Sequence, residues 1–333
     1  MELSEAVELA FRPARAPGRV GAEVEVIPVT DTDPPCPVNP TVLASGFDEH
    51  FATAARPSFE PGGQLELSPP PQRTVSGLVN LLHRLLANAE AIAAARGVRL
   101  EYEGTNPYHS CADVPLRTTT PRYTAMQAEF DRYGPDGRRM MRLTASLQIT
   151  IDLLPGEAGA EQWLVANLAG PALTAAFGNS TVIDGQPTAL PGARTRIWQG
   201  IDPRRTAYDG RHLDLADPVG AYYAFAAAAP RLPIPATADP RYHLSTLFPP
   251  VRPRGGYLEI RYLDAQPIDR IGDVVAVVSV LLTEARARRD ALDLLLPKAG
   301  QLQADWTSAA AGESPDAAAL LSIAGAQVLA GAR

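Results

Sequence analysis

Lysine is nearly missing from this chain of 333 residues: Lys298 stands alone, and arginine supplies all the other basic side chains. Any phosphate or carboxylate ligand must therefore be held by arginine, by a metal or by backbone. No G-x-x-x-x-G-K-[ST] or G-x-G-x-x-G segment occurs, which removes the two commonest nucleotide loops. Cysteine is scarce too: Cys36 and Cys111 alone build no disulfide framework. The longest strongly apolar run, Val274 to Leu282, is far short of the roughly 20 residues that a membrane span needs. The start, Met1-Glu2-Leu3-Ser4-Glu5, lacks the basic and apolar blocks of a signal peptide, so the expected location is cytoplasmic, away from membranes. The arginines form no basic block, which argues against nucleic acid as a partner. His50, His83, His109, His212 and His243 show no ligand spacing, and His83 reads as a structural residue on a helix. Gly178 to Ser180 has no partnered base, so nucleophilic catalysis is unsupported.

What is present suits a globular protein: 46% hydrophobic and 20% charged residues with a formal net charge of −7. Alternation predicts strands over 19–29, 98–103, 142–153 and 257–263, and 58–68 reads as a turn feeding another strand. Helical spacing predicts helices over 74–96, 121–133 and 161–177, with an irregular stretch over 178–217 and a mostly helical tail from Asp269. Pro121 starts its helix, and Gly97 closes the one before. Strands joined by unlike connections predict an α+β fold built on a mainly antiparallel sheet flanked by helices. The whole chain, 1–333, is expected to form one catalytic domain with its core over about 19–290 and a helical tail over about 291–333.

Side chains at i and i+2 on a strand share a face. Glu23 with Glu25, Gln64 with Glu66, Gln148 with Asp152, and Glu259 with Arg261 each stand opposite apolar neighbours. Two readings are open. One is a sheet with a solvated face, which antiparallel sheets often have. The other is a metal site: two carboxylates ~5 Å apart repel by roughly 3 kcal/mol at an effective dielectric near 20, so a cluster needs cations. Hard oxygen donors without a His or Cys cluster favour Mg²⁺ or Mn²⁺ over zinc. Gly62 and Gly63 supply backbone that can approach a ligand closely. Arg194 and Arg196, in a predicted loop beside Trp198, are either surface packing or an anion clamp.

Six segments carry a resemblance: GAEVEV (21–26), FEPGGQLELS (59–68), PRYTAM (121–126), RRMMRLTASLQITID (138–152), TRIW (195–198) and YHLSTLFPPVRPRGGYLEIRYLDAQP (242–267). In this order they resemble plant-type glutamate–cysteine ligases, most nearly the bacterial branch that serves ergothioneine biosynthesis. The resemblance implies an antiparallel, glutamine synthetase-like sheet forming a funnel-shaped site. It implies magnesium held by Glu23, Glu25, Glu66 and Glu259 with Glu60 beside them, and Gln148 next to the metals. Arg261 would hold glutamate and its phosphorylated form, and would act with Glu66 in catalysis. Arg194 and Arg196 would lie near the acceptor, and ATP, the co-substrate, beside Gly62, Gly63 and Asp152.

The implied reaction joins the γ-carboxylate of glutamate to the amine of cysteine through γ-glutamyl phosphate. The alternative is the same chemistry with another amine. An inactive binding homologue and a guanidino-type kinase are further rivals. The stretch Pro230 to Tyr242, with four prolines, is shorter than its counterpart in the ergothioneine enzymes. It is expected to be a stiff, extended connection that leaves the acceptor side open.

Overall fold

Eleven residues of alternating character make Val20–Thr30 the longest strand and the axis of the sheet. The computed structural model describes residues 1–51 and 57–331. The strands are β1 (Val20–Thr30), β2 (Ser58–Phe59), β3 (Leu65–Leu67), β4 (Val98–Glu101), β5 (Leu147–Asp152), β6 (Val182–Ile183), β7 (Gln186–Pro187), β8 (Val251–Pro253) and β9 (Tyr257–Ile260). The main sheet runs β2-β3-β1-β5-β9-β8, with β4 pairing on β1, while β6 and β7 form a separate hairpin. Every pairing in the main sheet is antiparallel, as expected.

The helices are α1 (Leu3–Ala10), α2 (Thr41–His50), α3 (Val75–Ala94), α4 (Pro121–Phe130), α5 (Asp136–Leu143), α6 (Gly156–Leu168), α7 (Gly170–Ala176), α8 (Ala193–Gln199), α9 (Pro203–Thr206), α10 (Pro218–Ala228), α11 (Pro240–Leu244), α12 (Ile268–Thr283), α13 (Ala285–Leu295), α14 (Leu302–Ala310) and α15 (Ala317–Gly331). Val24, Val26, Leu65, Leu67, Leu147, Ile149, Ile151, Leu258 and Ile260 are all at most 1% exposed and form the back of the sheet. α3 packs against β1 and β4, and α12 packs against β5 and α3. On α3, Leu78, Leu82, Leu86 and Ala89 recur at helical spacing and are fully buried; each leucine contributes roughly 1.5–3 kcal/mol by leaving water. Thr74 caps α3 by accepting from the Gly77 N–H, and Gly97 takes the left-handed conformation (φ 64°) after it. His83 bonds the Ile268 carbonyl at 3.1 Å, tying α3 to α12, a structural role.

Several boundaries differ from expectation. The predicted strand over 142–153 begins only at Leu147, because residues 136–143 coil into α5 with Met140 and Met141 buried. Thr144 ends that helix, its hydroxyl donating to the Met140 carbonyl at 2.7 Å. The predicted helix over 161–177 is two helices, since Pro171 cannot donate into a continuous one. Within 178–217, expected to be irregular, lie the hairpin and α8 and α9. The proline-rich segment 230–242 is not extended. It forms a 3₁₀ turn over Pro235–Ala238 and enters α11, with Leu232 and Thr237 buried and the Thr237 hydroxyl donating to the Leu232 carbonyl at 2.8 Å. Its prolines start turns rather than stiffening a strand. The last two tail residues, 332 and 333, lie outside the described residues, as does the side chain of His50. No helix among the described residues is long and apolar enough to cross a membrane.

Candidate functional site

Sheet register decides which polar side chains meet. Glu25 stands opposite Glu66, Glu23 opposite Gln148, Thr150 opposite Glu259, and Glu259 opposite Arg252. Directly paired residues project to the same side of a sheet, so five strands (β3, β1, β5, β9 and β8) deliver their polar side chains to one face. There all of these but Thr150 line a cavity of about 290 Å³ together with Glu60, Arg194, Trp198, Phe248 and Arg261.

One end of the cavity is acidic. Carboxylate oxygens of Glu25, Glu60 and Glu66 lie within 4.8 Å of one another. Glu25 is fixed from its own sheet, accepting from the Ser146 N–H at 2.8 Å and from Gln148 Nε2 at 3.1 Å. Glu66 accepts from the hydroxyls of Ser58 (2.9 Å) and Ser68 (3.0 Å). Glu60 arrives on a turn closed by the Gly63 N–H donating to its carbonyl at 2.8 Å. Burial, then Glu25 and Glu66, push the Glu60 carboxyl well above its ordinary value. Burial, then Glu66, raise Glu25 against the opposing pull of Arg194. Glu23 is raised to about 7 by burial and then by Glu259 and Glu66. Three converging oxygen donors that resist ionising together fit a hard divalent cation, Mg²⁺ or Mn²⁺.

The other end is basic. Arg252 Nη2 donates to Glu259 at 2.7 Å, Arg254 lies 3.5 Å away, and Arg261 bonds the same carboxylate. Burial pushes the Glu259 carboxyl up, but Arg252 and Arg261 outweigh it and hold the pKa down at about 2. Arg261 also donates to Gln148 Oε1 at 2.6 Å, so Gln148 links the acidic and basic ends. Arg194 is 3% exposed; its Nη2 donates to the Arg261 carbonyl at 3.0 Å, its Nη1 lies 3.8 Å from the buried carboxylate of Asp264, and neither Nε nor Nη1 makes a hydrogen bond. Asp264 supplies a counter-charge to Arg194, while the Nε and Nη1 donors stay available for a hydrogen-bonding anion in the cavity. Lys298, the lone lysine, pairs with Asp316 and lines no part of this cavity.

The expected residues divide accordingly. Glu23, Glu25, Glu60, Glu66, Gln148, Arg194, Glu259 and Arg261 come together around the cavity. Glu259, however, is bound to arginines rather than standing with the three clustered carboxylates. Arg196 is corrected: the stretch is helix α8, where residues two apart diverge, so Arg196 is exposed while Arg194 points inward. Gly62 is corrected as well. The close approach it permits is to the Arg142 backbone, whose oxygen would lie 2.2 Å from an added Cβ, so this glycine serves packing. Gly63 supplies a positive φ of 98° for the turn, and neither glycine lines the cavity. Asp152 lies on the expected face but is engaged by Arg19 at 3.1 Å beyond the cavity's edge. Arg252 and Arg254 went unread, because prolines flanking Arg252 masked β8 as a strand.

The raised carboxyls give a pH prediction. A carboxyl whose folded pKa lies above its unfolded value contributes stability that is present below the unfolded value and lost as pH rises through the folded one. For Glu23 that window runs from 4.5 to about 7, on the order of 3 kcal/mol at 1.4 kcal/mol per unit. In chelator, Tm should therefore fall by roughly 5 °C between pH 5 and 8. Magnesium should raise Tm more at pH 8 than at pH 5, and melting curves with equal magnesium effects at both would count against a cation site.

A family model described as glutamate–cysteine ligase family 2 matches residues 19–332. Glutamate–cysteine ligase EgtA of Mycolicibacterium smegmatis is 33% identical, the match covering 85% of this chain and 73% of that protein. The chloroplastic glutamate–cysteine ligase of Arabidopsis thaliana is 30% identical over 76% of this chain, which spans about half (52%) of the plant protein. The crystal structure of glutamate–cysteine ligase from Francisella tularensis in complex with AMP superposes with a TM-score of 0.45 at 13% identity, covering 95% of this chain and 83% of that one.

Proposed function

Because the chain belongs to glutamate–cysteine ligase family 2, we propose that it is an ATP- and magnesium-dependent ligase joining the γ-carboxylate of glutamate to the amine of cysteine, with the described chain acting as one catalytic unit around a funnel-shaped site. The observation that carries this reading is one cavity with three clustered carboxylates at one end and the buried arginines Arg194, Arg252 and Arg261 at the other.

Glu25, Glu60 and Glu66, with Glu23 beside them, would hold magnesium or manganese, which when bound neutralises phosphate charge during transfer. A γ-carboxylate oxygen of glutamate attacks the terminal phosphorus of ATP, the bond to the bridging oxygen breaks, and ADP leaves. The amine nitrogen then attacks the acyl carbon, and inorganic phosphate departs as the amine gives up its proton. Arg261, pinned by Glu259 and Gln148, faces the cavity as the donor to the carboxylate and the phosphoryl group it receives. Arg194, which lines the cavity with Nε and Nη1 making no hydrogen bond and its charge shared with Asp264, is assigned to a substrate carboxylate. Trp198 and Phe248 supply apolar walls that exclude water from the acyl phosphate.

Hydroxylamine tests the intermediate. With ATP and glutamate it should be captured as γ-glutamyl hydroxamate, with ADP and phosphate formed in step, and mass analysis across a panel of amines should find γ-glutamylcysteine as the favoured product. Release of AMP and pyrophosphate would rule out the acyl-phosphate route.

A further inference from the structure

Asp264 follows β9 and is 2% exposed, yet it lines no part of the carboxylate cavity. Its backbone is seated by an antiparallel bridge to Ser146, and a Cβ on Gly104 would fall 2.5 Å from its carboxyl carbon, so the side chain is closely packed. The segment Gly178 to Ser180, unused by nucleophilic chemistry, holds that carboxylate. Oδ2 accepts the Asn179 N–H at 2.9 Å and the Ser180 hydroxyl at 2.7 Å. Asn179 is itself anchored, its side-chain amide donating to the carbonyls of Tyr102 (2.7 Å) and Ala265 (2.9 Å). Ser180 in turn accepts the backbone N–H of Arg194 at 3.0 Å. Oδ1 makes no hydrogen bond among the described residues and lies 3.8 Å from Arg194 Nη1.

That geometry separates charge from hydrogen bonding. Two donors to one oxygen favour the ionised form and tie it to Asn179 and Ser180. Burial pushes the carboxyl up, while Arg194 and those two donors pull it down. The guanidinium thus feels a negative charge in a buried, weakly screened place but surrenders neither Nε nor Nη1 to it. A substrate carboxylate bonded to those donors feels attraction from Arg194 and repulsion from Asp264 together. Any carboxylate that the ligase does not convert to an acyl phosphate persists in the product. Holding it too tightly lowers KM without raising kcat, and it keeps the product bound. A fixed opposing charge behind the arginine limits that hold and leaves its geometry intact.

We propose that Asp264, held by Asn179 and Ser180, is a positioning residue that sets how strongly Arg194 binds the unreacted carboxylate of substrate and product. The proposal rests on the ligase reading above and deepens it, with Asp264 acting through Arg194 rather than touching the substrate.

Asp264→Asn removes the charge while its amide oxygen can keep both bonds made by Oδ2. In calorimetric titration, γ-glutamylcysteine, the product of the proposed reaction, should bind this variant about tenfold more tightly than wild type. KM should fall by a similar factor for whichever of glutamate and cysteine has its KM raised by Arg194→Gln. A merely structural role moves binding the other way, so weaker or unchanged binding by a folded Asp264→Asn overturns the proposal. Ser180→Ala supplies a second test that keeps the charge. Without the hydroxyl the carboxylate is free to turn onto Nη1 and compete with the substrate, so KM should rise about fivefold for that same substrate and stay within about twofold for the other. An unchanged KM overturns the proposal, and so does an equal rise for both substrates, which a disturbed fold produces. The titration also separates the two readings. If wild-type protein shows no turnover yet binds γ-glutamylcysteine, and Asp264→Asn binds it about tenfold more tightly, the role of Asp264 stands and the ligase chemistry falls. Binding by neither protein overturns the role of Asp264.

Discussion

Glu60→Gln should raise the thermal stability of the protein in chelator at pH 8 and reduce kcat about 10³-fold. The two effects share one cause. Glu60 stands within 4.8 Å of Glu25 and Glu66, and its carboxyl is pushed well up by burial and by those two neighbours, so its charged form is a net cost to the fold without a cation. Glutamine keeps the shape and removes the charge. Glu60 is the right member of the trio to change. Glu25 accepts the Ser146 N–H and the Gln148 amide, and Glu66 accepts two serine hydroxyls, so altering either would also break hydrogen bonds. The loss in rate follows if the trio compensates the charge of the transferring phosphoryl group, where removing one preorganised contact typically costs 10²–10³-fold. The magnesium-dependent rise in Tm should shrink as well. Activity within tenfold of wild type, with the magnesium effect on Tm intact, would show that the cluster is only a solvated acidic patch.

Much of this site was legible because period-two alternation is a local property. Glu23 and Glu25 against Val24 and Val26, or Glu259 and Arg261 against Leu258 and Ile260, follow from the pleat whatever the partner strand. The register was not local. That Glu25 meets Glu66, and that the Glu60 turn folds back to join them, depends on pairings between strands forty residues apart in sequence, which alternation does not specify. Glu60, expected to join the metal ligands, sits in the carboxylate cluster. Glu259, expected with them, lines the same cavity and is paired there with Arg252, on a strand of three residues hidden by Pro253 and the prolines just before it.

Errors of element type had a consistent origin. The stretch around Arg194 and Arg196 was expected to be a loop, and residues 142 and 143 to open a strand. Both belong to helices, because the apolar residues there are buried against neighbours the sequence does not reveal: Ile197 and Trp198 in one, Met140 and Met141 in the other. The consequence is chemical. Once α8 is a helix, Arg194 and Arg196 cannot serve the same site, and the buried one, with unpartnered donors, is the one that lines the cavity. Local propensity was overridden by packing.

Arg261→Lys should lower kcat/KM about 10²-fold although the positive charge is kept. Arg261 sits over the Phe248 ring at 5.8 Å and bonds both Gln148 and Glu259, so its guanidinium is held in one plane, with Nε unpartnered. Lysine presents a single point donor on a flexible stem and cannot reproduce a two-pronged contact with a carboxylate or phosphate. Losing a charge-assisted contact formed in the transition state costs roughly 3 kcal/mol, which is the 10²-fold expected. Stability should move little by comparison, since Arg252 and Arg254 remain to neutralise Glu259. The distribution between kinetic constants is informative. If Arg261 holds the γ-carboxylate only while it accepts the phosphoryl group, kcat falls and KM for glutamate stays near its original value. If it serves ground-state binding alone, KM rises and kcat is spared. Near-normal kcat/KM in the lysine variant, with the protein folded, would leave Arg261 as a structural partner of Glu259 and shift the burden of holding glutamate to Arg194.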